Sequence, residues 1–128
     1  MKILLDTHIA IWALCQPDKL KKNQLSSLEN PANELWLSAI SIWEIRYLLD
    51  SKALSYKGSL EELFYELSEV LSIREAPFST QVDFNASKIK LPHKDPADWM
   101  IAATARALKL KLMSEDKQIK RGTGFELF

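Results

Sequence analysis

The sequence predicts an α/β fold with a mainly parallel sheet, carried by a single domain. Three observations point there. Short apolar runs of strand length alternate with segments of helical spacing along the whole chain. Only 3 Gly and 5 Pro among 128 residues argue against a turn-rich β protein. With 47% hydrophobic and 27% charged residues the composition is globular, and the length suits one domain that buries its core without staples.

Lys2-Ile3-Leu4-Leu5 is a short apolar run stopped by Asp6, as expected of a buried parallel strand. Residues 9–14 predict a helix ended by Gln16-Pro17, because a residue before proline avoids helical backbone. A second short helix holds Leu20, Leu25 and Leu28 and closes at Asn30-Pro31. Glu34-Leu35-Trp36-Leu37 is the second strand, and Ser38 caps a helix through Asp50. Between 59 and 71, apolar residues at 60, 63, 64, 67, 70 and 71 mark one face of an amphipathic helix. Residues 72–76 are a weak strand stopped by Pro77, and residues 79–89 predict a further helix. Asp95-Pro96 opens an Ala-rich helix to Leu108, with proline at its first helical position. Residues 111–114 form a strand that runs into Glu115-Asp116; Gly122 and Gly124 then turn the chain into a last strand at 125–128.

Composition excludes several classes. The one cysteine, Cys15, cannot close an intramolecular disulfide, which rules out a secreted disulfide scaffold; in its apolar helix it reads as a core residue. The longest clean apolar run, residues 9–15, falls far short of a membrane span of ~18 residues. The opening run is too short before its first acid to be a signal peptide, so a cytoplasmic protein is expected. Seventeen basic and seventeen acidic residues cancel, so neither a basic nucleic-acid coat nor a basic membrane helix is present. The balance is uneven along the chain, however, and residues 88–128 carry 9 basic and 5 acidic groups. Such a third could guide a polyanion locally, or be no more than solvated helix ends.

The informative residues are acids placed where a core belongs. Asp6 and Asp116 each follow the apolar run of a strand, at the edge of an α/β sheet where ligands bind. Glu44 lies in a helix that is apolar nearly all round, with Ile40 and Leu48 one turn away and Arg46 on roughly the opposite side. An ionised carboxylate there needs a partner or a cation. Asp98 sits in the first turn of its helix, on the stripe of Ile101, Ala102 and Ala105. Singly, each acid has an ordinary reading as a cap, a turn residue or half of a distant ion pair. Together they form four carboxylates on four core-flanking elements. Close carboxylates ionise fully only beside a counter-charge, and all-oxygen ligands favour Mg²⁺ or Mn²⁺ over zinc. Clusters of this kind serve in-line attack on phosphodiesters, where the metal activates water and steadies the leaving oxygen.

Four segments then resemble the acidic motifs of the PIN domain family, specifically its VapC-like toxin branch. They are Ile3-Leu4-Leu5-Asp6-Thr7-His8, Ser38-Ala39-Ile40-Ser41-Ile42-Trp43-Glu44-Ile45, His93-Lys94-Asp95-Pro96-Ala97-Asp98 with the helix after it, and Leu112-Met113-Ser114-Glu115-Asp116. They occur in family order across nearly the whole chain. The resemblance implies a single-domain α/β/α sandwich around a parallel five-stranded sheet. It also implies a metal-dependent endoribonuclease acting on single-stranded RNA, with one or two Mg²⁺ or Mn²⁺ ions held by Asp6, Glu44, Asp98 and Asp116. A type II toxin of this kind has a small antitoxin partner and forms a homodimer. Asp95 becomes an accessory acid or a helix cap. Ser114 matches a position where the family carries a hydroxyl able to hold a carboxylate or metal-bound water, and Thr7 is similar. Trp99 stands where related sequences often have Arg, which removes a possible phosphate contact and leaves a packing tryptophan or a base-stacking one.

Other residues are secondary. Lys94 before the third motif, and Lys117, Lys120 and Arg121 after the fourth, could let an RNA backbone approach the carboxylates. His8 and His93 read as packing or substrate contacts rather than metal ligands. Trp36, Trp43 and Tyr47 read as core or dimer contacts rather than a stacking platform. Two rival functions remain: an RNA- or protein-binding module without nuclease activity, and a phosphoryl-handling α/β domain phosphorylated on Asp6.

Overall fold

The computed structural model describes residues 1–128. Five strands form one parallel sheet in the order β3-β2-β1-β4-β5, with β1 at Lys2–Leu5, β2 at Glu34–Ser38, β3 at Ile73–Ala76, β4 at Lys111–Met113 and β5 at Glu126–Leu127. The side-chain period of two divides the central strands between two cores. Ile3, Leu5, Leu35, Leu37 and Met113 pack on one face with helices α1 (Thr7–Cys15), α2 (Lys22–Glu29), α3 (Ala39–Asp50) and α4 (Leu60–Val70). Leu4 and Leu112 pack on the other with α5 (Thr80–Asn85), α6 (Pro96–Leu108) and α7 (Lys117–Lys120). The result is the expected α/β/α arrangement with five parallel strands. No helix is long and apolar enough to cross a membrane.

Local chemistry starts most of these helices where the sequence places them. Ser38 accepts from the Ile40 amide at 3.1 Å, and Ser59 and Glu62 form a capping box on α4. Asp95 accepts from the Ala97 amide at 3.0 Å ahead of Pro96, and α6 ends on Lys109 in a left-handed conformation. Leu112 is fully buried between β1 and the α6 layer. Leu112→Ala is expected to cost about 2–5 kcal/mol of stability, read from the urea midpoint at unchanged m-value.

Several sequence expectations need correction. Helix α1 begins at Thr7 rather than at residue 9, because the Asp6 carboxylate accepts from the Thr7 amide and starts the helix early. Helix α5 stops at Asn85 and passes into a 3₁₀ turn, Ala86–Lys88, whose Ala86 carbonyl takes the Trp99 indole N–H and the Ile89 amide. The last strand is two residues long, and the single turn α7 was not expected. Cys15 is exposed, not core, because it closes α1 beyond the buried stretch around Ile9 and Ile11. Of the three aromatics read as core or dimer contacts, Trp36 packs partly buried on the α6 side, whereas Trp43 and Tyr47 are exposed, at 55% and 64%, which sets aside the core reading for those two and not the dimer one.

Candidate active site

The sheet brings Asp6, the start of α3 and Ser114 to one edge, because β1, β2 and β4 are adjacent, parallel and all end there. The Asp6 amide donates to the Met113 carbonyl at 2.9 Å, which extends the β1–β4 pairing by one residue. Ser114 then donates its hydroxyl to Asp6 Oδ2 at 2.7 Å and accepts the Asp116 amide at 3.0 Å. One hydroxyl thus fixes two acids that lie on different strand ends. The Thr7 amide donates to Asp6 Oδ1 at 2.8 Å, and its hydroxyl donates to Glu44 Oε1 at 2.6 Å. The Ser41 hydroxyl is 2.9 Å from that of Thr7, on the same turn of α3 as Glu44. Thr7 and Ser114 are both buried, so they hold the carboxylates from behind.

Asp98 enters from the first turn of α6. It lies 2.9 Å from His93 Nε2. His93 Nδ1 accepts the Asp95 amide at 3.3 Å, so the ring proton sits on Nε2 and points at the Asp98 carboxylate. Ligand atoms of His93, Asp98 and Asp116 all fall within 4.8 Å of one another; with both ring nitrogens of His93 engaged, the two carboxylates are the members of this group free to hold a metal ion. Asp116 is exposed and caps α7 through its Oδ1, leaving its other oxygen turned to the cleft or solvent.

Electrostatics ties the four acids together. Burial pushes the Asp98 carboxyl up to about 7, with Asp95, Asp6 and Asp116 adding to it and His93 opposing. Burial also raises Asp6, against the hydrogen bonds from Ser114 and Thr7, and Asp116 raises it further. Burial raises Glu44 against the Thr7 bond, with Asp6 and Asp95 contributing. None of the four makes an ion pair with Lys or Arg; His93 meets Asp98, and the charge of His8 opposes the rise of Asp6 and Glu44. The neighbouring Glu115 shows the contrast. Its burial is outweighed by bonds from Lys120, Lys21 and Gln24, which hold its carboxyl below the usual range. The fold therefore neutralises the acid beside the cluster and leaves the cluster itself uncompensated. Oxygen-rich donors, mutual repulsion and the lack of a lysine or arginine partner fit a bound divalent cation.

The largest cavity, about 460 Å³, is elsewhere, between α5, α6 and β5, and none of the four acids lines it. A smaller cleft of about 320 Å³ is lined by Thr7, Asp95 and, of the four acids, Glu44 alone.

Residues 3–124 match the family model of the PIN domain. The chain belongs to the PIN domain family. Over 121 residues this PIN chain is 28% identical to Ribonuclease VapC22 of Mycobacterium tuberculosis (strain ATCC 25618 / H37Rv), covering 92% of this chain and 89% of that protein. Two similar solved structures share its fold. VapBC2 from Rickettsia felis, bound to a DNA fragment from its promoter, has a TM-score of 0.71 at 22% identity, covering 100% of this chain and 98% of that one. DNA-bound VapBC from Salmonella typhimurium has a TM-score of 0.70 at 17% identity, covering 100% and 97%.

The other residues singled out in the PIN chain divide by position. Asp95 is exposed and caps α6, and also lines the cleft. Lys94, Lys117 and Arg121 are exposed and make no ion pair. Lys120, expected to face substrate, instead pairs with Glu115 at 3.0 Å. Trp99 packs against the α6-side core, its indole N–H donating to Ala86 at 3.0 Å, so it is not a free stacking surface. His93 is the participant that sequence reasoning undervalued; its only signal was a position five residues before Asp98 across a proline cap. Ser114→Ala removes the hydroxyl that aligns Asp6 with Asp116. Metal affinity is expected to drop about 10–100-fold with little loss of fold, measured by Mn²⁺ titration calorimetry.

Proposed function

We propose that this chain is a Mg²⁺- or Mn²⁺-dependent endoribonuclease that cleaves single-stranded RNA, acting in the cytoplasm as the toxin of a type II toxin–antitoxin pair. The observation that carries the reading is one edge of the sheet where Asp6, Glu44, Asp98 and Asp116 meet electrostatically with no lysine or arginine to neutralise them. Similarity to a protein named as a ribonuclease supports the substrate class. Likeness to VapBC complexes supports a small antitoxin partner that blocks the cleft.

Asp98, Asp116 and Asp6 are the residues that would hold the cation, and Glu44 would complete the set from α3. A bound divalent ion supplies Lewis acidity, lowering the pKa of water and stabilising the departing 3′ oxygen. The chain's own part is placement. Ser114 and Thr7 lock carboxylate rotamers, so little reorganisation accompanies the reaction. His93 holds Asp98 through Nε2–H. Lys94, Lys117 and Arg121 offer positive charge around the acids, where an RNA backbone must approach. This reading needs no side-chain nucleophile, and Asp6 is buried with both oxygens hydrogen-bonded, which counts against its phosphorylation.

The test is direct. Purified protein with Mn²⁺ is expected to cut a labelled single-stranded RNA into products with 5′-phosphate and 3′-hydroxyl ends, and EDTA is expected to stop it. Tight RNA binding without cleavage under any divalent ion sinks the nuclease reading and leaves a binding module. A reading frame for a small protein beside the gene, co-expression of which silences cleavage, tests the toxin role. Size-exclusion with light scattering tests the homodimer.

A further inference from the structure

The cleft does not end at the carboxylates. Glu44 shares its walls with Trp43 and Tyr47, and at His8 and Leu48 it borders a second hollow of about 210 Å³ that is also lined by Trp12 and Lys19. Trp43 and Tyr47 are one helical turn apart on α3, 55% and 64% exposed. Their rings are near parallel, 17° between planes, with centroids 6.4 Å apart. On the opposite wall His8 and Trp12, also four residues apart, sit at 6.2 Å. The Lys19 ammonium lies 5.7 Å over the Trp12 ring and makes no ion pair.

We propose that this groove between α1 and α3 is a track for single-stranded RNA, whose unpaired bases next to the scissile phosphate stack on Trp43 and Tyr47 while Lys19 meets a phosphate further along. The proposal rests on the nuclease reading and adds to it which nucleotides are held and by what. Solvent-facing aromatic rings are costly to leave uncovered, and every nucleobase presents a π-face to them. Glu44 lines the same cleft as Trp43 and Tyr47, so a strand bound at Glu44 lies beside both rings. Stacking is insensitive to charge, which matters beside a cluster that repels phosphates. An unpaired ammonium at the far end suits a polyanion.

The experiment uses the full chain in an Asp98→Asn background that binds without cutting. A fluorescein-labelled single-stranded RNA decamer is titrated by anisotropy, and tryptophan emission is followed in parallel with unlabelled decamer. Trp43→Ala and Tyr47→Ala are each expected to weaken binding about 10-fold, with Tyr47→Phe restoring most of it. Emission is expected to be quenched on RNA addition, and the quench lost in Trp43→Phe. With Asp98 intact, the Ala variants are expected to raise KM at nearly constant kcat. Unchanged affinity and KM in both Ala variants overturn the track. So do variants that bind RNA normally but fail to be silenced by the co-expressed antitoxin, since the groove is then a protein-docking surface. If the chain cleaves no RNA yet the binding losses and quench are seen, the nuclease reading fails and the track stands.

Discussion

RNA cleavage by the Asp98→Asn protein is expected to fall about a thousandfold or more. The amide keeps the size of the side chain and can still meet His93, but it removes one negative charge from the group formed with Asp116. Between unit charges about 4 Å apart, an effective dielectric near 20 gives about 4 kcal/mol, which is roughly a thousandfold in cation affinity. Single-turnover cleavage at fixed Mn²⁺ reads the loss, and Mn²⁺ titration shows whether affinity carries it. Asp6→Asn and Asp116→Asn are expected to abolish cleavage likewise with the fold retained. Full activity in the Asp6 and Asp116 variants refutes the assignment. The same Asp98 substitution is expected to stabilise the metal-free protein at pH 8, because it deletes a charge that burial and three neighbouring acids oppose.

The second large effect is on pH. An ordinary Asp ionises near 3.8, whereas Asp98 in the folded chain titrates at about 7. Between those values the native state binds more protons than the unfolded state, so stability of the metal-free protein falls as pH rises and levels above about 7. The change is on the order of a few kcal/mol, and Asp6 and Glu44, raised by burial, act in the same direction. Urea midpoints from pH 4 to 8 check the slope, and Asp98→Asn is expected to flatten it. Cation binding has the opposite sign, since it requires the ionised form. At low Mg²⁺, cleavage is expected to climb about tenfold per unit toward pH 7 and then level, and saturating Mg²⁺ is expected to shift that rise to lower pH. A profile identical at low and saturating Mg²⁺ contradicts the coupling of Asp98 to the ion.

Much of this was legible from residue patterns, for identifiable reasons. The apolar runs at 2–5, 34–37 and 111–114 predicted strands, the last one residue longer than observed, because strands buried on both faces leave no room for polar alternation. Asp6 and Glu44 stood out as acids against apolar neighbours, and that contrast survives in the structure as burial and raised carboxyl pKa values. Features set by geometry between distant segments were not legible. The His93–Asp98 contact depends on the bend at Asp95-Pro96, which no periodicity records. The pairing of Lys120 and Lys21 with one Glu115 needs α2 and α7 to meet at the sheet edge. Trp43 and Tyr47 read as core or dimer contacts because helical spacing does not distinguish an apolar face that meets the sheet from one that borders a cleft.

The strand order also bears on when the protein becomes competent during its own synthesis. The earliest strand occupies the centre of the sheet, and the partner that seats Asp6 is a serine 108 positions later. A growing polypeptide still short of β4 has Asp6 without Ser114 and without Asp116, whatever else has already folded. A chain that lacks β4 is therefore expected to hold no cation and to cleave no RNA.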